Sequence, residues 1–204
     1  MSPSPAVTTT VFFVRHAAHG LLGHVLAGRM AGVRLGEEGL RQADRLATRL
    51  ARESVAAVCS SPLERALETA APIARRLERG VQVAEALNEI DLGEWSGRSF
   101  DALDGDPQWR NWNAVRSLTR APKGETMLEV QARAVGFVER MRRAWPDSGV
   151  VLVSHADVIK AGLAYYLGLP LDSHARFEIS PASLSALAVG DWGARVLVMN
   201  EVQA

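Results

Sequence analysis

The sequence predicts an α/β fold, a three-layer α/β/α sandwich around a mostly parallel central sheet. Short, continuous apolar runs at 11–14, 55–60 and 150–154 alternate with longer segments whose apolar residues recur every three or four positions. Continuous apolar runs are typical of strands covered on both faces, and their alternation with amphipathic helices favours a parallel sheet. With 204 residues, 48% of them hydrophobic, the chain suits one domain, which we assign to residues 9–204 after a disordered tail over 1–8.

The first half of the chain predicts two strand-and-helix units. The strand over 11–14 is followed by a glycine-punctuated loop, 17–36, and by a helix whose apolar face repeats up to about residue 50. The strand over 55–60 leads into a helix that extends to about residue 79. Its start is predicted by Ser61-Pro62-Leu63-Glu64, since Ser and Glu three residues apart can form a capping box and proline suits the first helical position.

The second half predicts the remaining strands and two further helices. Trp109 and Trp112 lie in an irregular stretch that ends near residue 123. Tyr165 and Tyr166 lie on an apolar helix, and we expect them in the core. The predicted elements are, in order, a short strand 81–84, a helix 125–145, a strand 150–154, a helix 156–167, and two closing strands 186–189 and 195–199.

The charge balance and the lengths of the apolar runs exclude several function classes. The chain has 23 Lys and Arg against 23 Asp and Glu, so no global field attracts nucleic acid or an anionic membrane. Its apolar runs are far shorter than the roughly 18 residues of a membrane span, and residues 1–10 lack the features of a signal peptide. We therefore expect a cytoplasmic protein without a nucleic-acid or membrane partner. Cys59, in an apolar run, is expected to be a buried, inert thiol.

Four basic side chains fall where predicted strands end. Arg15 and His16 end the first strand, Arg65 lies in the first turn of the helix after the second, and His155 follows the strand 150–154. Open α/β sheets bind ligands at that edge. A cluster of two arginines and two histidines suits phosphate, because guanidinium groups offer bidentate hydrogen bonds and a helix N-terminus favours an anion.

Five short motifs occur in order along the chain. They are Val14-Arg15-His16-Ala17, Ser60-Ser61-Pro62-Leu63-Glu64-Arg65-Ala66, the segment 87–97 around Glu89, Gly124-Glu125-Thr126, and the segment 154–159 around His155. Together they resemble the motifs of the histidine phosphatase superfamily, in its phosphoglycerate-mutase-like branch. A lone Arg-His pair would be weak evidence, whereas five ordered matches between about residue 8 and residue 200 are strong evidence. The resemblance implies the same α/β/α fold and a phosphomonoester hydrolase that acts on a small phosphorylated metabolite.

The resemblance also implies a role for each motif residue. His16 would attack phosphorus and become a phosphohistidine. Arg15, Arg65 and His155 would hold the phosphoryl oxygens, and Glu89 would protonate the leaving oxygen and later activate water. The resemblance implies no metal and no cofactor, and it leaves a homodimer open. Further substrate contacts are expected from Arg29, Ser154, Ala156, His19 and Trp95.

The sequence departs from the family pattern in the loop after His16. Alanine follows it where glycine is usual, and Ala18-His19-Gly20-Leu21-Leu22 lacks the acidic, hydroxyl and asparagine residues often found there. An expected phosphate contact is therefore missing. Arg29, which matches an arginine seen in many members of the family, is one candidate to supply a substrate contact instead, and His19 and His24 are the others.

Several alternatives stay open at this level. Asp91 and Glu94 compete with Glu89 as the acid. His16, His19 and His24 could instead form a metal site, although their spacing fits no standard zinc pattern. The protein could be a phosphoglycerate mutase, or a catalytically weak module that binds phosphate ligands or phosphoproteins.

Overall fold

A computed structural model describes residues 7–203 of the protein. The strands are β1 (Thr8–Arg15), β2 (Val55–Ser60), β3 (Val81–Val83), β4 (Gly149–Ser154), β5 (Ser183–Gly190) and β6 (Gly193–Val202). They form one central six-stranded sheet in the order β3-β2-β4-β1-β5-β6. The pairs β3-β2, β2-β4 and β4-β1 are parallel, and β5 and β6 are antiparallel additions at one side. Most of the predicted tail lies outside the described residues, and Thr8 already belongs to β1.

Helices cover both faces of the sheet, which confirms the predicted α/β fold. The helices are α1 (Glu37–Leu50), α2 (Glu64–Arg76), α3 (Phe100–Asp104), α4 (Pro107–Ala114), α5 (Met127–Ala144) and α6 (Ala156–Leu167). In β1, Phe12 and Val14 pack with α1 and α2 on one face of the sheet, while Val11 and Phe13 pack with α5 and α6 on the other. This continuous apolar strand is thus buried on both sides.

A third apolar cluster lies above the carboxyl edge of the sheet, in the stretch that the sequence left irregular. Trp95, Trp109 and Trp112 pack together there with ring centroids 5.2 to 5.7 Å apart. Asp106 caps α4 by accepting hydrogen bonds from the N–H groups of its first turn. These tryptophans fix the 95–123 segment beside the site by packing.

Two local predictions were wrong. The capping box at the start of α2 does not form, because Glu64 accepts a hydrogen bond from the N–H of Gly32 and the Ser61 hydroxyl contacts His155. Tyr165 is 55% exposed rather than in the core, since it lies in the last turn of α6 with its ring against Tyr166.

Two other observations bear on the sequence predictions. Cys59 is buried, and burial raises the pKa of its thiol to about 11. Across residues 7–203, none of the helices combines the length and apolar character needed to cross a bilayer.

Candidate active site

Three segments that follow neighbouring strands meet at one edge of the sheet. β1 and β4 are parallel neighbours with Arg15 opposite Ser154, so His16 and His155 follow them side by side, with ring centroids 5.1 Å apart. β2 lies on the other side of β4. The helix that follows β2 brings Arg65 into the same space, where its Nη2 is 3.3 Å from Nδ1 of His155. The four basic side chains therefore converge at the edge where such sheets bind ligands.

The imidazole of His16 has one nitrogen held as a donor and the other free. Nδ1 is 2.9 Å from the carbonyl oxygen of Ala17. Because a carbonyl can only accept, Nδ1 carries the proton and Nε2 keeps its lone pair. Burial, together with the charges of Arg65 and Arg15, holds the pKa of His16 well below its ordinary value. The ring is therefore neutral at physiological pH, and its Nε2 lone pair is free.

Two guanidinium groups flank this ring, that of the buried Arg65 and that of the partly buried Arg15. Nη2 of Arg65 donates to the carbonyl of Gly28 at 2.7 Å, and Nη1 of Arg15 donates to the carbonyl of Ile179 at 2.6 Å. Within residues 7–203, Nε and Nη1 of Arg65 and Nε of Arg15 are buried without a partner. Burial lowers the pKa of both groups, yet guanidinium remains charged. Cations with buried, open donors form a site that an oxyanion would complete.

Gly28 is required for this arrangement. Its φ is +49°, and a Cβ there would lie 2.6 Å from the Oγ of Ser96. Only glycine tolerates that backbone conformation without strain and leaves room for the neighbour. The loop can therefore present its carbonyl to Arg65.

His155 completes the cluster from the N-cap position of α6. Its Nε2 is 2.8 Å from the Oγ of Ser61, and its Nδ1 faces Nη2 of Arg65 at 3.3 Å. Since guanidinium can only donate, Nδ1 accepts and Nε2 carries the proton. Burial, together with the neighbouring His16 and Arg65, lowers the pKa of His155 well below its usual value. The Ser61 hydroxyl orients this ring instead of capping α2.

Glu89 reaches the same cavity from the segment between β3 and α3. Its Oε1 accepts a hydrogen bond from the N–H of Ile90 at 2.9 Å, and its Oε2 is 3.7 Å from Nδ1 of His155. Burial, then the charge of Asp157, raises the pKa of Glu89 to about 7, against an opposing effect of Arg65. A carboxyl group with that pKa can both give and take a proton near neutral pH.

Two arginines fix the main chain of Glu89. Nε of Arg29 and Nη2 of Arg133 both donate to the Glu89 carbonyl, at 2.7 and 3.1 Å. Both arginines also bind the carboxylate of Glu125. Arg133 was not among the residues predicted from the sequence. It lies three positions after Val130, next to the apolar face of α5, and a charged residue at that position could have indicated a buried polar contact.

Two of the five further substrate contacts predicted from the sequence line the cavity. They are His19 and Ala156. The ring of His19 is 5.3 Å from that of His16, and its Nδ1 is buried with no partner among the described residues. Burial, together with Arg65 and Arg15, lowers the pKa of His19 to about 4.

Arg29, Ser154 and Trp95, which were also predicted to contact substrate, are not among the residues that line the cavity. Arg29 is engaged by Glu125 and by the Glu89 carbonyl. Ser154 is fully buried, and its hydroxyl donates to the carbonyl of Leu87 at 2.7 Å. Trp95 is 1% exposed inside the tryptophan cluster. All three support the site from behind its walls.

The structure does not support the alternative acids, Asp91 and Glu94, or a metal site formed by His16, His19 and His24. Neither Asp91 nor Glu94 lines the cavity: the side chain of Asp91 is 40% exposed, and Glu94 forms an ion pair with Lys123. His24 is exposed. In the described part of the chain, no group of three or more His, Cys, Asp or Glu side chains is placed to hold a metal ion.

The cavity has a volume of about 350 Å³, and Asp157 also lines it. Oδ1 of Asp157 accepts a hydrogen bond from Nη1 of Arg116 at 2.7 Å and is 3.4 Å from Nε2 of His174. Burial alone would raise the pKa of Asp157, but Arg116 and the hydrogen bond with His174 hold it below its usual range. Asp157 therefore stays negative and favours the protonated form of Glu89.

This fold and this cluster define a class of protein. The family model described as histidine phosphatase superfamily (branch 1) matches residues 11–202. The chain belongs to that superfamily, as its five motifs predicted.

Two of the three relatives described here carry phosphatase names. Phosphoserine phosphatase 1 of Hydrogenobacter thermophilus is 32% identical over 168 residues, which cover 81% of this chain and 80% of that protein. The bifunctional protein Rv2228c of Mycobacterium tuberculosis is 36% identical over 171 residues, 82% of this chain but 47% of the relative. The native structure of a mycobacterial glucosyl-3-phosphoglycerate phosphatase superposes with a TM-score of 0.85 at 27% identity, covering 95% of this chain and 99% of that one.

Proposed function

We propose that the protein is a metal-independent phosphomonoester hydrolase that acts on a small phosphorylated metabolite through a phosphohistidine on His16. The observation that carries the proposal is the free Nε2 of a neutral His16, placed beside two guanidinium groups that keep buried, unpartnered N–H donors. An oxyanion with three peripheral oxygens suits these donors, and a nucleophile is already next to it.

In the first step, the Nε2 lone pair attacks phosphorus and the phosphorus–oxygen ester bond breaks. The departing alkoxide takes the proton of Glu89, whose pKa of about 7 leaves much of it protonated near neutral pH. Arg15 and Arg65 hold the oxygens whose charge changes during the transfer. The Nδ1 proton of His16 stays on the ring, shared with the Ala17 carbonyl.

In the second step, water attacks the phosphohistidine. Glu89, now a carboxylate, accepts a proton from this water, and the phosphorus–nitrogen bond breaks to release inorganic phosphate and neutral His16.

Three further groups bind the phosphoryl oxygens. The dianionic phosphoryl group favours protonation of His155, whose Nδ1 then donates a hydrogen bond to it. His19 supplies the contact that the altered loop otherwise lacks, and Ala156 begins α6 at the cavity, where its helix N-terminus favours an anion.

The relatives' names support hydrolysis over isomerisation, since phosphoserine and glucosyl-3-phosphoglycerate phosphatases release phosphate. The experiment measures inorganic phosphate from a panel of metabolite phosphates, with interconversion of 3- and 2-phosphoglycerate followed in parallel. Fast interconversion with negligible release would reject the hydrolase in favour of a mutase. Tight phosphate binding without turnover would favour the binding module.

The mechanism itself is tested by rapid acid-free quenching of the enzyme with radiolabelled substrate. We expect a base-stable, acid-labile phosphoryl adduct that is absent from His16→Ala. The exposed His24→Ala, in the same loop, is the matched control and should keep both the adduct and the activity. Full activity in His16→Ala would contradict the proposal.

A further inference from the structure

The cavity has a second part beyond its phosphate-binding cluster, and the walls of that part are apolar. Six side chains from three segments line it, and all are partly or fully removed from solvent. They surround the space that the alcohol portion of a phosphomonoester bound at His16 would occupy. These residues are Leu22, Val25, Leu26, Leu92, Phe100 and Pro181.

This apolar wall is held in place by main-chain hydrogen bonds. The N–H of Leu26 donates to the carbonyl of Arg98 at 2.9 Å, and the carbonyl of Leu26 accepts from the N–H of Gly97 at 2.8 Å. The N–H of Phe100 donates to the carbonyl of His24 at 3.2 Å. The loop after β1 and the segment that leads into α3 are therefore joined to each other by hydrogen bonds, and together they form one side of the cavity.

The charges around this part of the cavity disfavour an anionic substituent. Arg15 and Arg65 are the only Lys or Arg side chains among the described residues that line the cavity, and a bound phosphoryl group would engage both. Nearby Arg116 is already paired with Asp157, so its guanidinium group is not free to bind a second anion. A substrate carboxylate would lose its water there and find no free cation.

We propose that this site selects phosphomonoesters whose alcohol portion is an apolar alkyl or aryl group, and that it discriminates against esters that carry a carboxylate. The inference rests on the proposed hydrolase function and names its substrate class. It separates this chain from relatives named for phosphoserine and glucosyl-3-phosphoglycerate, because both of those compounds carry a carboxylate. Apolar contact contributes binding, and an unpaired buried charge opposes it.

The test compares n-pentyl phosphate with its ω-carboxylate of the same chain length, so that the two leaving alcohols are alike. We expect kcat/KM to be at least about tenfold higher for the alkyl ester, the scale on which a pocket discriminates by apolar contact. Phosphoserine and 3-phosphoglycerate should fall with the carboxylate. Equal rates, or a preference for the carboxylate, would overturn the inference and leave the hydrolase function standing.

A charge-introducing variant tests the wall directly. Leu22→Lys should reduce the alkyl-to-carboxylate ratio by about tenfold, because it supplies the cation that the wall lacks. Leu118→Lys makes the same change at a residue that is 83% exposed and outside the cavity, and it should leave the ratio unchanged. An unchanged ratio in a folded Leu22→Lys protein would contradict the assignment of the wall.

Binding of non-hydrolysable phosphonates tests the selectivity of the cavity separately from the hydrolase function. Calorimetry with pentyl phosphonate and its ω-carboxylate should reproduce the preference in the absence of turnover. If the preference holds while no ester is hydrolysed, the hydrolase function fails and the selectivity stands. If neither phosphonate is preferred, the selectivity fails whatever the turnover.

Discussion

Replacing Glu89 by glutamine should make the protein more stable at high pH. In the folded protein, burial and the charge of Asp157 raise the pKa of Glu89 to about 7, from an ordinary value of 4.5. Between these two pH values the unfolded chain has lost the proton and the folded chain keeps it. The stabilising contribution of the neutral carboxyl is therefore complete below pH 4.5 and is lost as pH rises through 7.

The size of the effect follows from the difference in pKa. At about 1.4 kcal/mol for each pKa unit, the wild-type protein loses roughly 3 kcal/mol of unfolding free energy from this one group between acidic and alkaline pH. Glutamine keeps the shape of the neutral carboxyl but does not titrate. We expect the stability of Glu89→Gln relative to wild type to increase by about 2 to 3 kcal/mol between pH 5 and pH 8.

Urea unfolding at pH 5, 6, 7 and 8 measures this difference, because both variants share every other titrating group. Glu37→Gln is the control because it makes the same substitution at a side chain that is 94% exposed; the change in relative stability with pH should be larger for Glu89→Gln than for this control. A stability difference between Glu89→Gln and wild type that is the same at all four pH values would refute the reasoning.

Glu89→Gln should also lose much more activity on alkyl phosphates than on p-nitrophenyl phosphate, because the leaving group of p-nitrophenyl phosphate needs no proton.

Three further predictions concern the phosphate-binding cluster, the tryptophan cluster and metal independence. Arg65→Ala should lower kcat by about 10² to 10³, the usual loss for one donor to a transition-state oxyanion; steady-state kinetics checks it, and a loss below about tenfold would contradict the role of Arg65. Trp112→Ala should lower the free energy of unfolding by about 3 to 5 kcal/mol, since it empties a site that is 1% exposed beside Trp109, and a change below about 1 kcal/mol in urea unfolding would count against the packing role. Saturating chelator should leave the rate of phosphate release unchanged, and a rate restored only by added divalent cation would point to a metal enzyme.

The buried strands could be predicted because their signal is local. The runs 55–60 and 150–154 are continuous and apolar, and they match β2 and β4 closely. β5 and β6 extend further than predicted. In β6 exposed positions follow partly buried ones and no residue is fully buried, so the strand lacks the continuous apolar signal that would mark its ends.

The four basic residues of the site were predictable because strand ends fix where they must lie. The directions of neighbouring side chains were not. Ser154 and Trp95 lie within the expected motifs, yet their side chains point toward Leu87 and Trp109 and away from the cavity. Membership of a motif fixes a residue's place along the chain, whereas the packing around it decides which way the side chain points.

The hydrogen bond between Nδ1 of His16 and the carbonyl of Ala17 sets the protonation pattern of this imidazole. The acceptor is a main-chain carbonyl, in contrast to enzymes whose histidine depends on a partner carboxylate. A methyl group at residue 17 points into the core, where it is fully buried, and leaves that carbonyl in place. We therefore expect the tautomer that leaves Nε2 free to tolerate substitutions in the surrounding loop, so that the cavity wall can change while the proposed chemistry is kept.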